Sequence, residues 1–340
     1  MLETIKYLIG STGPSGFGSK STAEEVTQSC GDLRSITAII TGGTSGIGAE
    51  TARVLAKRGA RVILPARSMK NAEETKGRIV SECPDAEIIV MPLDLSSLNS
   101  VTNFVARFHS LNFPLHLLIN NAGKFAEAHA ISEDGVEMTF ATNYLGHFLL
   151  TKLLVKTMVE TAKKTGIQGR IVNVSSAVHA WFTGDVFSYL TQISRNKSHY
   201  DATRAYALSK LANVLHTNEL ARRLKQMDAN VTVNCVHPGV VRTRLTRERE
   251  GFLTGYYYIG ITTTTFFWLY FLFVFFYMSV LQPLINLVFF FLFLSVLKSN
   301  CRSSFLFGFQ ALKDHSSGSC NNVLCGNPPK SLQCLGQVLY

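Results

Sequence analysis

A cluster of glycines near the N-terminal third of the chain has the spacing of a turn that binds phosphate. It follows an apolar run and reads TGGTSGIG from Thr41 to Gly48, which is the pattern T-G-x-x-x-G-x-G. Glycines at these places allow a tight turn, a close approach of the backbone to a pyrophosphate, and close packing of a helix on a strand. A helix that begins here would offer unpaired N–H groups and a favourable dipole to phosphate. A plain turn is the alternative, but the pattern favours a dinucleotide that contacts Gly42, Thr44, Ser45, Gly46, Ile47 and Gly48.

The residues after the second predicted strand distinguish between two forms of that dinucleotide. The stretch from Leu64 to Ser68 reads LPARS and contains no acidic residue that could bond a ribose 2′-hydroxyl. Arg67 can pair with a 2′-phosphate, which a carboxylate would repel. Arg67 could also be an ordinary surface arginine. The sequence therefore predicts NADP(H) in preference to NAD(H).

A repeated strand–turn–helix pattern between Ile36 and Val241 must position these residues. Apolar strands are predicted at 35–40, 61–65, 87–91, 115–120, 169–175 and 231–237, and amphipathic helices at 47–58, up to 80, 98–108, 136–160 and 204–225. Strands alternating with helices of this length indicate a parallel sheet. We predict a Rossmann-type, doubly wound α/β domain over residues 35–250 with six legible strands and a seventh apparently lost. Residues 1–34 are expected to form a flexible arm.

Four further motifs follow the glycine turn in order along the chain. They are NNAG after strand four, a serine pair after strand five, Tyr-x-x-x-Lys on the next helix, and Pro-Gly-x-x-x-Thr after strand six. This ordered set resembles the classical short-chain dehydrogenases/reductases. It is most similar to the branch that holds retinol dehydrogenases and a plant chloroplast inner-envelope dehydrogenase associated with protein import. The resemblance runs from about residue 17 to residue 244.

The resemblance implies a set of catalytic groups. Tyr206 would be the acid/base, and Lys210, on the same helix face, would hold the cofactor ribose and stabilise the phenolate. The ordinary tyrosine pKa of about 10 is too high for base work near neutrality. Ser176 would bond the substrate carbonyl, and Asn143 would support a water-linked proton path to Lys210. Each residue also has a structural interpretation, because Tyr-Lys pairs are common on helices and serines often end strands.

The same resemblance implies further contacts with the cofactor. Asn121, Ala122 and Gly123 would shape the adenine pocket, and Thr243 would bond the nicotinamide carboxamide. Asp94 would either contact adenine or cap the following helix. The remaining residues expected to bind cofactor are Tyr206, Lys210, Pro238 and Gly239.

Composition narrows the list of partners. The net charge is +10, but Lys and Arg are scattered and no basic stretch is interleaved with aromatic residues, so we expect no nucleic acid partner. The seven cysteines form no C-x-x-C pair, and His147, His179, His199 and His216 lack ligand spacing, so we expect no metal. Between 176 and 206, Trp181, Phe182, Phe187 and Tyr189 either line an apolar substrate entrance or pack an insertion.

The C-terminal part departs from the family pattern. No charged residue occurs between Glu250 and Lys298, and residues 298–340 form an irregular polar tail. The apolar segment 251–297 could be a membrane anchor, since it is long enough to span a bilayer. The preferred hypothesis is a retained intron over about 253–308 followed by a final exon out of frame, because re-reading the tail one base later gives a family-like last helix and strand.

Together these features predict an NADP(H)-dependent oxidoreductase that interconverts a carbonyl and an alcohol on a small lipophilic substrate. The alternative is an NADP(H)-binding, redox-sensing subunit of a chloroplast envelope import assembly, with a translocon partner. The resemblance suggests the chloroplast inner envelope, with the cytoplasm or endoplasmic reticulum as alternatives. Membrane association and a homo-oligomer are further expectations.

Overall fold

Six short strands pair in parallel and place four of their carboxyl ends beside the glycine turn. In the computed structural model, which describes residues 12, 15–18, 20–239 and 241, the strand order is β3-β2-β1-β4-β5-β6. The strands are β1 (Thr37–Ile40), β2 (Arg61–Ala66), β3 (Ile88–Pro92), β4 (Leu117–Asn120), β5 (Gly169–Val174) and β6 (Val231–Val236). The predicted Rossmann-type parallel sheet is confirmed for this part of the chain.

Helices cover both faces of the sheet. They are α1 (Ala23–Gln28), α2 (Gly46–Lys57), α3 (Met69–Glu82), α4 (Leu98–Ser110), α5 (Met138–Phe140), α6 (Gly146–Thr165), α7 (Val186–Arg195) and α8 (Ala202–Gln226). A π-helical turn, Ala141–Leu145, joins α5 to α6, and short 3-10 turns lie at Ala177–Trp181 and Lys197–His199. The predicted helix at 136–160 therefore exists, but it is interrupted by a π turn.

The strands read as continuous apolar runs because both of their faces are buried. Ala38 and Ile40 of β1 point to one side of the sheet, and Ile39 points to the other. Alternate residues of a strand face opposite sides, so one run supplies two separate cores. The first core is closed mainly by α2 and the second mainly by α4 and α6.

The segment before β1 corrects one prediction. Thr22 and Glu25 form a capping box that starts α1, and Val26, Cys30 and Leu33 are buried against the first core. The predicted flexible arm over residues 1–34 is wrong for residues 22–34, because a short helix buries apolar side chains there. The T-x-x-E signature of the capping box was legible in the sequence.

The stretch between β5 and α8 divides its aromatic residues between two environments. Phe182 and Tyr189 are buried and pack together, with ring centroids 5.7 Å apart. Trp181 is 50 % exposed and Phe187 is 79 % exposed. Packing of an insertion therefore accounts for Phe182 and Tyr189, whereas Trp181 and Phe187 are largely on the surface.

Several predictions fall outside the described residues. These are Thr243, the apolar segment 251–297, the tail 298–340, the lost seventh strand and the retained-intron hypothesis. Within residues 20–239, the longest part described, no helix is both long and apolar enough to cross a membrane.

Candidate active site

The carboxyl ends of β1, β4, β5 and β6 meet at one edge of the sheet, where the predicted site residues follow them. The strand order reverses between β1 and β4, because β1 pairs with β2 on one side and with β4 on the other. In open parallel sheets, the crevice outside such a reversal is where ligands bind. The fold thus brings the glycine turn and the NNAG segment to the two sides of one crevice.

Two glycines of the turn have no room for a side chain. Gly42 has φ +66°, and a Cβ there would lie 2.8 Å from the Cα of Ala122. A Cβ on Gly48 would lie 2.4 Å from both the Asn121 Nδ2 atom and the Gly42 carbonyl oxygen. Glycine at 42 and 48 is thus required for the turn, the start of α2 and the NNAG segment to pack together.

The first residues of α2 present an open helix N-terminus. Gly46 has φ +54° and begins α2, while the Ser45 side chain makes no capping hydrogen bond to that helix. The N–H groups of the first turn have no partner within a helix. A pyrophosphate is the kind of anion that such a terminus binds, so the cradle fits the predicted dinucleotide.

The other predicted cofactor residues surround the same edge. Arg67 is exposed and follows β2 directly. The Asp94 carboxylate accepts hydrogen bonds from the Ser96 N–H at 2.9 Å and the Ser96 hydroxyl at 2.6 Å, so it stabilises the turn before α4, whose N-cap is Ser97. Pro238 and Gly239 follow β6, and Gly239 has φ +75°.

Tyr206 and Lys210 lie one turn apart on α8, facing this crevice region. The Lys210 Nζ atom is 5.5 Å from the centroid of the Tyr206 ring and donates a 2.9 Å hydrogen bond to the Val174 carbonyl at the end of β5. Lys210 is 3 % exposed, and this burial lowers the pKa of its ammonium to about 8. The Ser175 hydroxyl donates to the Lys210 carbonyl at 2.9 Å, which ties β5 to α8.

Asn143 is fully buried in the π turn and holds two other segments. Its side-chain oxygen accepts from the Lys124 N–H at 2.7 Å, and its Nδ2 atom donates to the Lys124 carbonyl at 2.9 Å and to the Ser209 hydroxyl at 3.1 Å. Ser209 donates in turn to the Tyr206 carbonyl at 2.7 Å. The Asn143 side chain therefore fixes the loop after NNAG against the helix that carries Tyr206.

Gly123 lies between two of the predicted catalytic groups. A Cβ built on it would lie 3.8 Å from the Lys210 Nζ atom and 3.9 Å from the Asn143 side-chain oxygen. Ser176, the residue after β5, accepts a hydrogen bond from the Val178 N–H through its side chain. Asn143, Ser176, Tyr206 and Lys210 thus come from three segments that converge on one end of β5.

Sequence reasoning missed three residues that shape this site. Thr41 accepts hydrogen bonds from the N–H groups of Asn121 and Ala122, at 2.9 and 3.0 Å. The His147 Nε2 atom lies 2.8 Å from the Thr41 hydroxyl, and Phe125 packs on Tyr206 with ring centroids 5.4 Å apart. Phe125 directly follows NNAG-Lys, and Thr41 opens the T-G-x-x-x-G-x-G motif but was given no role, whereas His147 carried no signal beyond its position near Asn143.

Comparison with known proteins agrees with this architecture. Residues 36–188 match the model of the short chain dehydrogenase family. Short-chain dehydrogenase TIC 32 B, chloroplastic, from Brassica napus is 50 % identical over 249 residues, which is 73 % of this chain and 76 % of the relative. The chain belongs to the short-chain dehydrogenases. It is therefore an oxidoreductase whose fold binds a nicotinamide cofactor, as predicted.

Other relatives of this short-chain dehydrogenase are retinol dehydrogenases, the other members named for the branch that it resembles. Retinol dehydrogenase 12 from Bos taurus is 42 % identical over 210 residues, covering 62 % of this chain and 63 % of that protein. Among solved structures, the Pseudomonas aeruginosa RhlG/NADP active-site complex has a TM-score of 0.51 and 25 % identity, covering 64 % of this chain and 77 % of that one.

Proposed function

We propose that this short-chain dehydrogenase is an NADP(H)-dependent enzyme that interconverts a carbonyl and an alcohol on a small lipophilic substrate. The observation that carries the proposal is the buried Lys210 ammonium, held by the Val174 carbonyl 5.5 Å from the Tyr206 ring centroid. A cation kept this close to a tyrosine, away from water, favours the phenolate form of its hydroxyl. That is what an acid/base tyrosine needs near neutral pH.

The cofactor assignment is supported by the shape and charge of the crevice. The turn formed by Gly42, Thr44, Ser45, Gly46, Ile47 and Gly48 leaves a cradle at the open end of α2 for the pyrophosphate. Arg67 stands after β2 with no acidic residue beside it, which suits a 2′-phosphate. A solved neighbour is a complex with NADP. Asn121, Ala122, Gly123 and Asp94 would face adenosine, and Pro238, Gly239 and Thr243 the nicotinamide side.

The bound cofactor supplies hydride chemistry, and the protein supplies the proton. Ser176 would orient the substrate oxygen by a hydrogen bond, and Tyr206 would give its phenolic proton to that oxygen during reduction. Lys210, whose pKa of about 8 keeps it mostly protonated at pH 7, would stabilise the resulting phenolate. Asn143 would hold the loop after NNAG against α8, and so keep Tyr206 in place, through its hydrogen bonds to Lys124 and Ser209.

Apolar side chains on the segments around Tyr206 suit a lipophilic substrate. Phe125 packs on the Tyr206 ring, and Trp181 stands half exposed on the turn after Ser176. One relative at 42 % identity is a retinol dehydrogenase. These features favour apolar aldehydes and ketones over charged ones.

The redox-sensing alternative would require a chloroplast location, which is where the name of the relative at 50 % identity places that relative. We propose a chloroplast location on the same ground. A translocon partner, membrane association and a homo-oligomer remain predictions. The complete set of Asn143, Ser176, Tyr206 and Lys210 favours the enzyme, because a sensor needs only the cofactor site.

Replacement of Tyr206 by Phe tests the proposal in the full-length protein. We expect reduction of long-chain and retinoid aldehydes with NADPH to fall by about 10²–10⁴-fold, the usual contribution of an acid/base group. The Kd for NADPH, followed by its fluorescence, should stay within about threefold, because the glycine turn is untouched and the substitution removes one hydroxyl from the cofactor contacts. Turnover unchanged in Tyr206→Phe would refute the mechanism.

Tyr144→Phe is the matched control. Tyr144 is the neighbour of Asn143 in the chain, and its ring packs on Phe140 and Phe148. We expect this variant to keep both turnover and NADPH affinity. If no aldehyde is turned over by the unaltered protein while NADPH binds normally, the redox-sensing function is favoured instead.

A further inference from the structure

His147 is a buried histidine on α6, and both of its ring nitrogens have partners. It is 3 % exposed and lies one turn after Asn143. The Nδ1 atom is 3.0 Å from the Asn143 carbonyl oxygen, and the Nε2 atom is 2.8 Å from the Thr41 hydroxyl. The imidazole therefore touches the residue before the glycine turn and the residue at the centre of the π turn.

The partners fix which nitrogen carries the proton. A carbonyl oxygen can only accept, so Nδ1 must donate to Asn143. Burial lowers the His147 pKa to about 4, so the ring is neutral and Nε2 has a free lone pair. The Thr41 hydroxyl then donates to Nε2, and its oxygen is left to accept from the N–H groups of Asn121 and Ala122.

The Thr41 hydroxyl has a competing acceptor. The Ile119 carbonyl lies 3.3 Å away, compared with 2.8 Å for His147 Nε2, and a hydroxyl has one proton to give. His147 therefore determines the direction in which Thr41 donates. Thr41 connects the glycine turn to NNAG, so this direction bears on the geometry of the cofactor cradle.

The other end of the bridge reaches the catalytic groups. Asn143 holds the Lys124 backbone and, through Ser209, the Tyr206 carbonyl. The Asn143 carbonyl lies within the π turn, a feature that often marks functional sites in helices. A leucine or phenylalanine would fill the space of His147 without burying two polar nitrogens, so packing alone does not explain an imidazole here.

We propose that His147 is a positioning residue that couples the cofactor-binding turn to the catalytic groups by bridging the Thr41 hydroxyl and the Asn143 carbonyl. The proposal rests on the proposed function, since it assigns what each end of the bridge serves. The Thr41 end sets the shape of the cradle and hence cofactor affinity. The Asn143 end sets the placement of Tyr206 relative to Lys210 and hence turnover.

Two substitutions can cut the bridge at one end each. The amide of His147→Asn reaches the place of Nδ1 and can still donate to Asn143, but it removes the Nε2 acceptor and leaves the Thr41 hydroxyl to donate to the Ile119 carbonyl. The amide of His147→Gln reaches the place of Nε2 and can accept from Thr41, but it loses the bond to Asn143. His147→Leu removes both hydrogen bonds but still fills the space with an apolar side chain.

The expected result is a split between binding and turnover. A buried neutral hydrogen bond is worth up to about tenfold in an equilibrium or a rate. His147→Asn should raise the Kd for NADPH by about fivefold to tenfold with kcat near that of the unaltered protein. His147→Gln should lower kcat by a similar factor with little change in Kd. His147→Leu should show both effects.

Thr41 provides an independent check on the effect that His147 is expected to have on cofactor binding. Thr41→Val should raise the Kd for NADPH at least as much as His147→Asn does, since it also removes the bonds from the Asn121 and Ala122 N–H groups. The double variant should bind no more weakly than Thr41→Val, because both substitutions remove the contact between Thr41 and His147. Thr41→Ser keeps the hydroxyl and should bind normally. His109→Gln is the matched control, since His109 makes a 3.0 Å contact with Thr157 on the exposed surface.

The outcomes separate this inference from the proposed function. If His147→Asn and His147→Gln lower Tm and impair binding and turnover equally, His147 is merely structural and the inference is overturned. If the unaltered protein reduces no aldehyde, the proposed function fails, and the NADPH titrations of His147→Asn and Thr41→Val decide the bridge alone. Unchanged Kd values in both variants would overturn it.

Discussion

Lys210 combines a structural cost with the catalytic use that we propose for it. Its ammonium is buried beside one carbonyl, and the loss of water lowers its pKa from 10.5 to about 8. The unfolded chain therefore binds more protons than the folded one between pH 8 and pH 10.5, so folding stability rises with pH across this window. Below pH 8 the fold bears the full cost of the buried cation.

Replacement of Lys210 by Met should expose this trade-off. We expect the free energy of unfolding at pH 7 to increase by about 1–3 kcal/mol, because the buried charge is removed. Turnover should fall by about 10²-fold or more, since the phenolate loses its cation. Urea unfolding at pH 7 and at pH 10.5 provides the check, and the gain should shrink at the higher pH. A variant that is less stable at pH 7 would contradict the argument.

We propose that Arg67 sets the preference between the two nicotinamide dinucleotides. A guanidinium can make charge-assisted hydrogen bonds with the 2′-phosphate of NADPH, a group that NADH lacks. Arg67→Ala should raise the KM for NADPH by about tenfold to 100-fold and leave the KM for NADH unchanged. Steady-state kinetics with both cofactors decides this, with Arg34→Ala as the control because Arg34 is an equally exposed arginine paired with Asp32. Equal effects on both cofactors would show that Arg67 does not read the phosphate.

Elements with a strong local signal were predictable from the sequence, and those defined by tertiary contacts were not. Strand β2 was predicted within one residue because a doubly buried strand is a continuous apolar run. Helix α1 carried a capping-box signature but was missed, since its six residues are held in place by buried contacts and by Glu24, which pairs with Arg53 and Lys57 at 2.8 and 2.9 Å. The π turn is a shift in hydrogen bonding that leaves the apolar pattern unchanged.

The close contact between α2 and the loop after β4 can be tested by substituting a glycine in α2. Gly48→Ala would place a methyl 2.4 Å from the Asn121 amide and the Gly42 carbonyl, so we expect a loss of about 1–3 kcal/mol of stability and weak NADPH binding. Gly77→Ala is the control, because Gly77 lies inside α3 with no atom within 4 Å of the added carbon. Thermal unfolding should show a gain of about 0.5–1 kcal/mol for Gly77→Ala. Similar losses in both variants would exclude the proposed close packing.

For the molecule as a whole, the site could be predicted as a set of motifs but not as a connected network. The order of strands brings Thr41, Asn121 and Lys210 to one edge of the sheet, and the order of the motifs along the chain predicted that they would meet there. The bridge through His147 was not foreseeable, because it joins residues that are 106 positions apart in the chain. Its consequence extends beyond the site, since a buried neutral histidine makes the stability of the protein depend on pH.

His147 should make the protein sensitive to acid. Burial, with a smaller effect of the Lys210 charge, lowers its pKa from 6.5 to about 4, while the Asn143 bond opposes this. The unfolded chain binds more protons between these values, so the stabilisation is present above pH 6.5 and is lost as the pH falls through 4. The difference corresponds to about 3 kcal/mol. His147→Gln, which does not titrate, should lose about 3 kcal/mol less between pH 7 and pH 4 in urea unfolding. Identical pH dependence in His147→Gln and the unaltered protein would show that the His147 pKa is the same in the folded and the unfolded chain, and would contradict the argument.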